Sequence, residues 1–234
     1  MSPTSPRGSP PDVGVLLPAA GKGERAGDGA LKQFRCIAGV PMLLRAIRPF
    51  ASHPRVREIV VALPEAQASA PPEWLAAVVG QRLRVVAGGA TRAASVRNAL
   101  QALDPDCALV LVHDAARPFV SAAEIDAVIA AAEQGTGAIA ALPVSDTLKR
   151  SDDGRHVTAT PSRAGLYRAL TPQGFPRALL VAAYQAAGAT PDVTDDAGLV
   201  EAVGGRVVLV PGRTTNIKVT TPDDFVLAEA LARP

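Results

Sequence analysis

Residues 13–34 read VGVLLPAAGKGERAGDGALKQF. The apolar run from Val13 to Leu17 closes at Pro18. It passes into a loop holding Gly21, Gly23, Gly27 and Gly29 together with Lys22, Arg25 and Lys32. A run without polar alternation marks a strand buried on both faces, as in a parallel sheet, and ligands of such sheets bind beyond the strand ends. The pattern recurs in EIVVALP (58–64), RLRVVAGG (82–89), ALVLVHDAARP (108–118) and GAIAALPV (137–144). Helical patterns lie between the strands: PMLLRAIRPFASH (41–53), PPEWLAAVVG (71–80), TRAASVRNALQAL (91–103) and SAAEIDAVIAAAEQ (121–134). The last opens with Ser121 and, three residues on, Glu124, a capping box. The prediction is an α/β fold: a Rossmann-like, mostly parallel sheet covered by helices on both faces.

From Ser145 the pattern changes. SDTLKRSDDGRHVTATPSR (145–163) is polar, with an Asp-Gly turn signal at Asp153-Gly154. It predicts a protruding β-hairpin arm, about residues 145–170, and a two-stranded ribbon of this kind is marginal alone in water. A second subunit is its natural support. The chain then returns to helix (176–188 and 195–205), a strand (206–212), the segment TNIKVTTPDD (215–224) and a closing helix.

The bulk properties exclude several classes. A net charge of +2 and 3% aromatic residues argue against nucleic-acid binding. Cys36 and Cys107 are the only cysteines, so neither a disulfide framework nor a zinc knuckle is expected. Residues 1–12, MSPTSPRGSPPD, read as a disordered tail and lack the apolar core of a signal peptide. No apolar run reaches the roughly 18 residues of a membrane helix. A cytoplasmic enzyme with one domain over 13–234 is expected. Among 24 basic residues only Lys22, Lys32, Lys149 and Lys218 are lysines. A lysine kept in so arginine-rich a chain suggests a need for a compact point charge.

The first loop fits neither GxxxxGK[ST] nor GxGxxG. What remains is a strand, a glycine loop and three cations, Lys22, Arg25 and Lys32. Glycines let backbone N–H groups turn toward an anion, and the cations neutralise phosphate charge. Three more clusters follow strands: 88–95, 113–117 and 145–149. Asp114 follows a buried strand and reads either as a turn cap or as a Mg²⁺ ligand beside a triphosphate.

These motifs carry a resemblance. LLPAAGKGERAG with LKQF, GGATRAASV, VHDAARPFV, LPVSDTLK, RALTPQGF, VTDDAGLVE and TNIKVTTPDD are together similar to the 2-C-methyl-D-erythritol 4-phosphate cytidylyltransferase family of the non-mevalonate isoprenoid pathway. The resemblance spans nearly all of 13–232. It implies transfer of CMP from CTP to a polyol phosphate with release of diphosphate, by in-line attack of a substrate phosphate oxygen on the α-phosphorus. No general base is needed for an anionic nucleophile, so positioning and charge stabilisation carry the rate.

The resemblance also implies roles. Arg25, Lys32, Lys218 and Arg163 would be catalytic. The CTP site would comprise Pro18, Ala19, Ala20, Gly21 and Gly23 of the first loop, with Lys32 and Lys218 on its phosphates. Gly88, Gly89 and Ser95 would face the base, with Asp114 and Ala115 nearby. The polyol phosphate would meet Arg117, Asp146, Thr147, Arg163, Thr171, Thr194 and Asp195. Asp195 and Asp196 compete as an N-cap pair for the following helix. Asp114 would bind Mg²⁺ or another divalent cation, and the arm would join a homodimer. His113 reads as a core histidine, His53 and His156 as incidental, and Lys149 as a surface cation. Ala26, Leu31 and Ala90 stand where relatives often carry Met, Pro and an acidic residue, which predicts altered affinity rather than altered chemistry. The rival readings are a cytidylyltransferase for another polyol phosphate such as ribitol 5-phosphate, an idle nucleotide-binding protein on the same scaffold, and a dinucleotide oxidoreductase. The end at LAEALARP predicts no fused partner enzyme.

Overall fold

The computed structural model describes residues 12–21, 31–78, 82–188 and 193–233. Residues 1–11 of the expected tail, and Lys22, Gly23, Arg25 and Ala26 of the first loop, lie outside the described residues, while Asp12, the tail's last residue, pairs with Arg55. The first half alternates strand and helix as the apolar runs require: β1 (Val13–Pro18), β2 (Cys36–Ile37), β3 (Val40–Pro41), α1 (Met42–Ala51), β4 (Val56–Leu63), α2 (Glu65–Ser69), α3 (Glu73–Val78), β5 (Leu83–Ala87), α4 (Arg92–Ala102) and β6 (Leu109–Val112). The second half adds α5 (Ala122–Ala132), β7 (Gly137–Pro143), β8 (Tyr167–Pro176), α6 (Arg177–Ala186), α7 (Asp196–Ala202), β9 (Val207–Pro211) and α8 (Pro222–Leu231). The capping box expected at Ser121 and Glu124 is present on α5.

Seven strands form one sheet in the order β5-β4-β1-β6-β8-β7-β9. Only β8 runs against its neighbours, so the mostly parallel sheet expected from the unbroken apolar runs is what forms. Successive side chains on a strand point to opposite faces, and β1 shows the result. Val13, Val15 and Leu17 pack with Leu43, Ile47 and Phe50 of α1 and with Ile125 and Val128 of α5. Leu16 turns to the other face, with Val96 and Leu100 of α4, Leu180 of α6 and Val200 of α7. Fully burying a side chain such as Phe50 contributes about 1.5–3 kcal/mol. A third cluster joins Ile37 and Met42 to Val219 and to Phe225 and Ala228 of α8, tying the segment after β9 back to the start of the chain.

The arm is looser than the ribbon expected. Its one bridge pairs Arg150 with Ala159, and Asp153 closes the tip by accepting from the backbone N–H groups of Arg155 and His156. Residues 149–169 are all exposed. No helix among the described residues is long and apolar enough to cross a membrane.

Candidate active site

The chain runs outward from β1 through β4 to β5, then crosses back to place β6 on the other side of β1. The loops that follow β1, β5 and β6 diverge around this reversal, and a cleft of about 730 Å³ opens between them. Its floor is built of small residues: Pro18 to Gly21 from the first loop, and Gly89 and Ala90 from the loop after β5. The close approach of these loops explains the glycines. A Cβ on Gly88 would lie 2.2 Å from the Cβ of Ala20, and one on Gly89 would lie 2.4 Å from that of Ala94. No L-side chain fits either position without moving backbone.

Lys32 reaches the cleft on a short 3-10 turn, Lys32–Phe34. The next residue fastens that turn: the buried Gln33 donates from Nε2 to the carbonyl of Ala19 at 2.6 Å. Lys218 enters from the opposite wall on the segment after β9, where the N–H of Val219 bonds to the Ala116 carbonyl at 2.8 Å. Residues 186 positions apart in the chain therefore line one cleft.

Asp114, at the end of β6, is the carboxylate among the described lining residues. Its Oδ2 lies 2.8 Å from Lys218 Nζ and its Oδ1 lies 3.0 Å from Arg92 Nε. Arg92 Nη1 continues to Asp196 Oδ2 at 2.7 Å, and the Tyr184 hydroxyl donates to Asp196 Oδ1 at 2.5 Å. The result is a line of alternating charge, Lys218–Asp114–Arg92–Asp196, running from the cleft into the interior. Burial works against ionisation of Asp114, but the positive charges of Arg92 and Lys218 outweigh it and hold the carboxyl well below the usual range. Burial and the Asp196 charge beside it push the Tyr184 hydroxyl far up, so it stays a donor.

A second network braces Asp114 through its backbone. His113 is fully buried, and burial pushes its imidazole down to about 4. Its Nε2 lies 2.9 Å from the Arg117 carbonyl, which can only accept, so Nε2 carries the proton and Nδ1 is the acceptor. The Thr171 hydroxyl, 2.9 Å from Nδ1, therefore donates there, and its oxygen accepts the N–H of Asp114 at 3.1 Å.

Several expected contacts are taken by other partners. Thr171 spends its hydroxyl on His113 and Asp114, behind the cleft wall. Arg117 is 8% exposed and absent from the lining; its Nη1 donates to the Asn216 carbonyl at 2.8 Å. Ser95 lines the cleft, yet its Oγ accepts from the N–H of Gly89 and donates to the carbonyl of Thr91, leaving it one free lone pair. Asp195 acts as the competing reading has it, capping α7 through Gly198 N–H while its other oxygen accepts from Gln173. Thr194 is exposed. Asp146, Thr147 and Arg163 are exposed on the arm, away from this chain's own cleft, and Arg163 Nη1 donates to the Ser145 carbonyl. His53 bridges α1 to Asp126 on α5, and His156 pairs with Asp153 at the arm tip.

Arg92 is the site residue that sequence reasoning missed. It stands inside GGATRAASV, a stretch read for its glycines and serine. Its signal was available: a basic residue at the first position of α4, just after the N-cap Thr91, in a loop already expected to meet a ligand.

Comparison with known proteins places the chain among relatives of one family. The family model for 2-C-methyl-D-erythritol 4-phosphate cytidylyltransferase (IspD) matches residues 13–233. Among curated relatives, the enzyme of that name from Frankia casuarinae is 47% identical over 94% of this chain and 81% of its own. The one from Salinibacter ruber is 46% identical over 94% and 92%. The crystal structure of the Thermus thermophilus enzyme of that name superposes with a TM-score of 0.80 at 39% identity, covering 95% of this chain and all of that one.

Proposed function

The chain belongs to the 2-C-methyl-D-erythritol 4-phosphate cytidylyltransferase family, and from that premise we infer how its cleft transfers CMP from CTP to 2-C-methyl-D-erythritol 4-phosphate. One observation carries the reading. Lys32 and Lys218, from distant parts of the chain, line one cleft together with the small residues Pro18 to Gly21, Gly89 and Ala90. A floor of such small residues leaves room for a flat base and a triphosphate, and two cations answer the charge of the phosphates.

CTP lies along 18–21 and 88–90, with its base toward Gly88, Gly89 and Ser95. Lys32 and Arg25 hold its phosphates, and Lys22 joins them at the outer ones. Lys218 leaves Asp114 for the α-phosphate, where negative charge gathers as the substrate phosphate oxygen attacks in line and diphosphate departs. The attacking oxygen is already an anion, so no residue has to remove a proton. Arg92 keeps Asp114 charged and fixed while its other partner is away.

A divalent cation fits this site in one way. No cluster of three or more His, Cys, Asp or Glu occurs among the described residues. Magnesium needs only one or two carboxylates beside phosphate oxygens and water, and Asp114 supplies one at the cleft wall. When bound, the ion neutralises charge on the triphosphate.

The arm completes the site of a second copy. Residues 149–169 find no core of their own to cover them. In a homodimer Arg163, Asp146 and Thr147 reach the partner's cleft and hold the polyol phosphate, while Thr194 lies at the edge of each protomer's own. Thr171, Arg117 and Asp195 shape that half from behind.

The test is diphosphate release with CTP and Mg²⁺, comparing 2-C-methyl-D-erythritol 4-phosphate with ribitol 5-phosphate. Turnover with the first alone is expected. Preference for the second would keep the mechanism and move the protein to another substrate. No release with either, although CTP binds, would overturn the assignment.

A further inference from the structure

Glu124 was read from the sequence as a helix cap. In the structure it does that with one oxygen only: Oε2 accepts from the N–H and the hydroxyl of Ser121, at 3.0 and 2.8 Å. The other oxygen, Oε1, accepts from the N–H of Arg213 at 2.9 Å and from Nδ2 of Asn216 at 3.1 Å. Both donors belong to the segment that carries Lys218. Glu124 is 2% exposed, and a carboxylate buried so deeply with four donors around it has no role left for solvent. Burial opposes its charge, and the Ser121 and Arg213 N–H groups reverse that and hold its carboxyl below the usual range.

Asn216 is the second half of the device. It is 1% exposed, and its amide nitrogen lies within hydrogen-bond distance of two oxygens, Glu124 Oε1 and the Thr171 carbonyl at 2.9 Å. Both can only accept, so the amide orientation is forced and both its hydrogens are used. Its backbone carbonyl accepts from Arg117. Through this one side chain and its backbone, α5, β8 and the loop after β6 grip the chain two residues before Lys218. On the other side of Lys218, Val219 is fully buried and bonds to Ala116. The lysine is thus the half-exposed middle of a segment clamped at both ends.

We propose that Asn216, anchored by Glu124, is the positioning residue that sets Lys218 in the cleft, so that turnover depends on a helix-capping glutamate outside it. This rests on the reading of Lys218 as the charge that answers the α-phosphate. Glu124 thereby couples two tasks, closing the first turn of α5 and fixing the reach of a lysine 94 positions later in the chain.

The experiment separates those tasks. Ser121→Ala removes the capping hydroxyl, keeps the backbone N–H on Oε2, and leaves Oε1 with Arg213 and Asn216. Asn216→Ala removes the anchor and leaves the cap, and Asn216→Ser, a gentler change that keeps a donor, carries the same comparison if the alanine variant does not fold. Glu124→Gln disturbs both, because an NH₂ would face donors. Steady-state rates are measured for each, alone and combined with Lys218→Ala. Ser121→Ala should lower the melting temperature yet keep kcat within about twofold, whereas Asn216→Ala should lose about 30-fold or more in kcat with KM for CTP changed less than about threefold. In the Lys218→Ala background, Asn216→Ala should change the residual rate by less than about twofold, since its effect runs through the missing amine. An equal loss in both backgrounds, or a wild-type kcat in Asn216→Ala, would show a merely structural asparagine and overturn the proposal. Full turnover by Lys218→Ala alone would overturn the reading of the lysine and the proposal with it.

Discussion

The cleft and the arm pair their polar groups in opposite settings, one largely buried and the other exposed. At the cleft, Asp114, Arg92, Asp196, Thr171 and Ser95 all find partners within the chain, and the alternating line of charge needs nothing from outside. On the arm, 149–169 are exposed throughout, and Val157, Leu166 and Tyr167 show 61%, 42% and 49% of their surfaces. The described part of the cleft is pre-organised, so ligand binding costs it little rearrangement beyond moving Lys218. The arm is held by local contacts at exposed positions, at its tip and its base. Stability should therefore respond to substitutions in the buried charges behind the cleft, and use of the polyol phosphate to arm substitutions.

The largest expected effect comes from breaking the line of charge. Arg92→Met leaves Asp196, fully buried, without its cation, and removing one partner of a buried pair costs about 3–5 kcal/mol. Urea unfolding should register it, and a loss below about 1 kcal/mol would mean the line carries no load. Lys218→Ala should cut kcat by about 10²–10³ with little change in melting temperature, because its amine is half-exposed. A large fall in stability instead would make it a structural cation.

His113 sharpens the comparison through pH. Its imidazole takes a proton near 4 when folded and near 6.5 in its ordinary state. Below about pH 6.5 the unfolded chain binds a proton that the folded chain refuses, so stability is full above that pH and falls as pH drops toward 4. The loss should approach about 3 kcal/mol. Denaturation of wild type and His113→Asn between pH 7.5 and 4.5 checks this; the variant should lack that part of the slope, and identical slopes would rule it out. The smallest effect on stability belongs to Arg163→Ala. It should leave unfolding unchanged and raise KM for the polyol phosphate about tenfold, with CTP affinity intact, by loss of one charge-assisted contact. Equal damage to CTP binding would place Arg163 elsewhere.

The contrast also explains what the sequence revealed. Unbroken apolar runs and the glycines after them marked the sheet and the cleft floor, because burial on both faces and close backbone approach act locally. The roles of Thr171, Arg117 and Asp195 were not legible in the same way. Each is a polar residue beside the site whose partners, His113, Asn216 and Gln173, come from other elements. A hydroxyl turned toward a buried imidazole looks, in one dimension, the same as one turned toward a substrate. Arg92 was overlooked for the converse reason, one arginine among many, distinguished only by the two carboxylates that folding brings to it. The antiparallel course of β8 was equally hidden, since RALTPQGF was read as a motif before it could be read as a strand.

β8 is divided along its length. Tyr167 to Ala169 are exposed at the root of the arm, and Leu170 to Phe175 are buried. From Tyr167 to Thr171 the extended backbone spans only about 13 Å. One strand thus carries both the foot of the arm and the threonine whose hydroxyl accepts the Asp114 N–H and whose carbonyl accepts from Asn216. A continuous stretch of backbone therefore ties the surface this chain leaves open to the hydrogen bonds that seat Asp114 and Asn216.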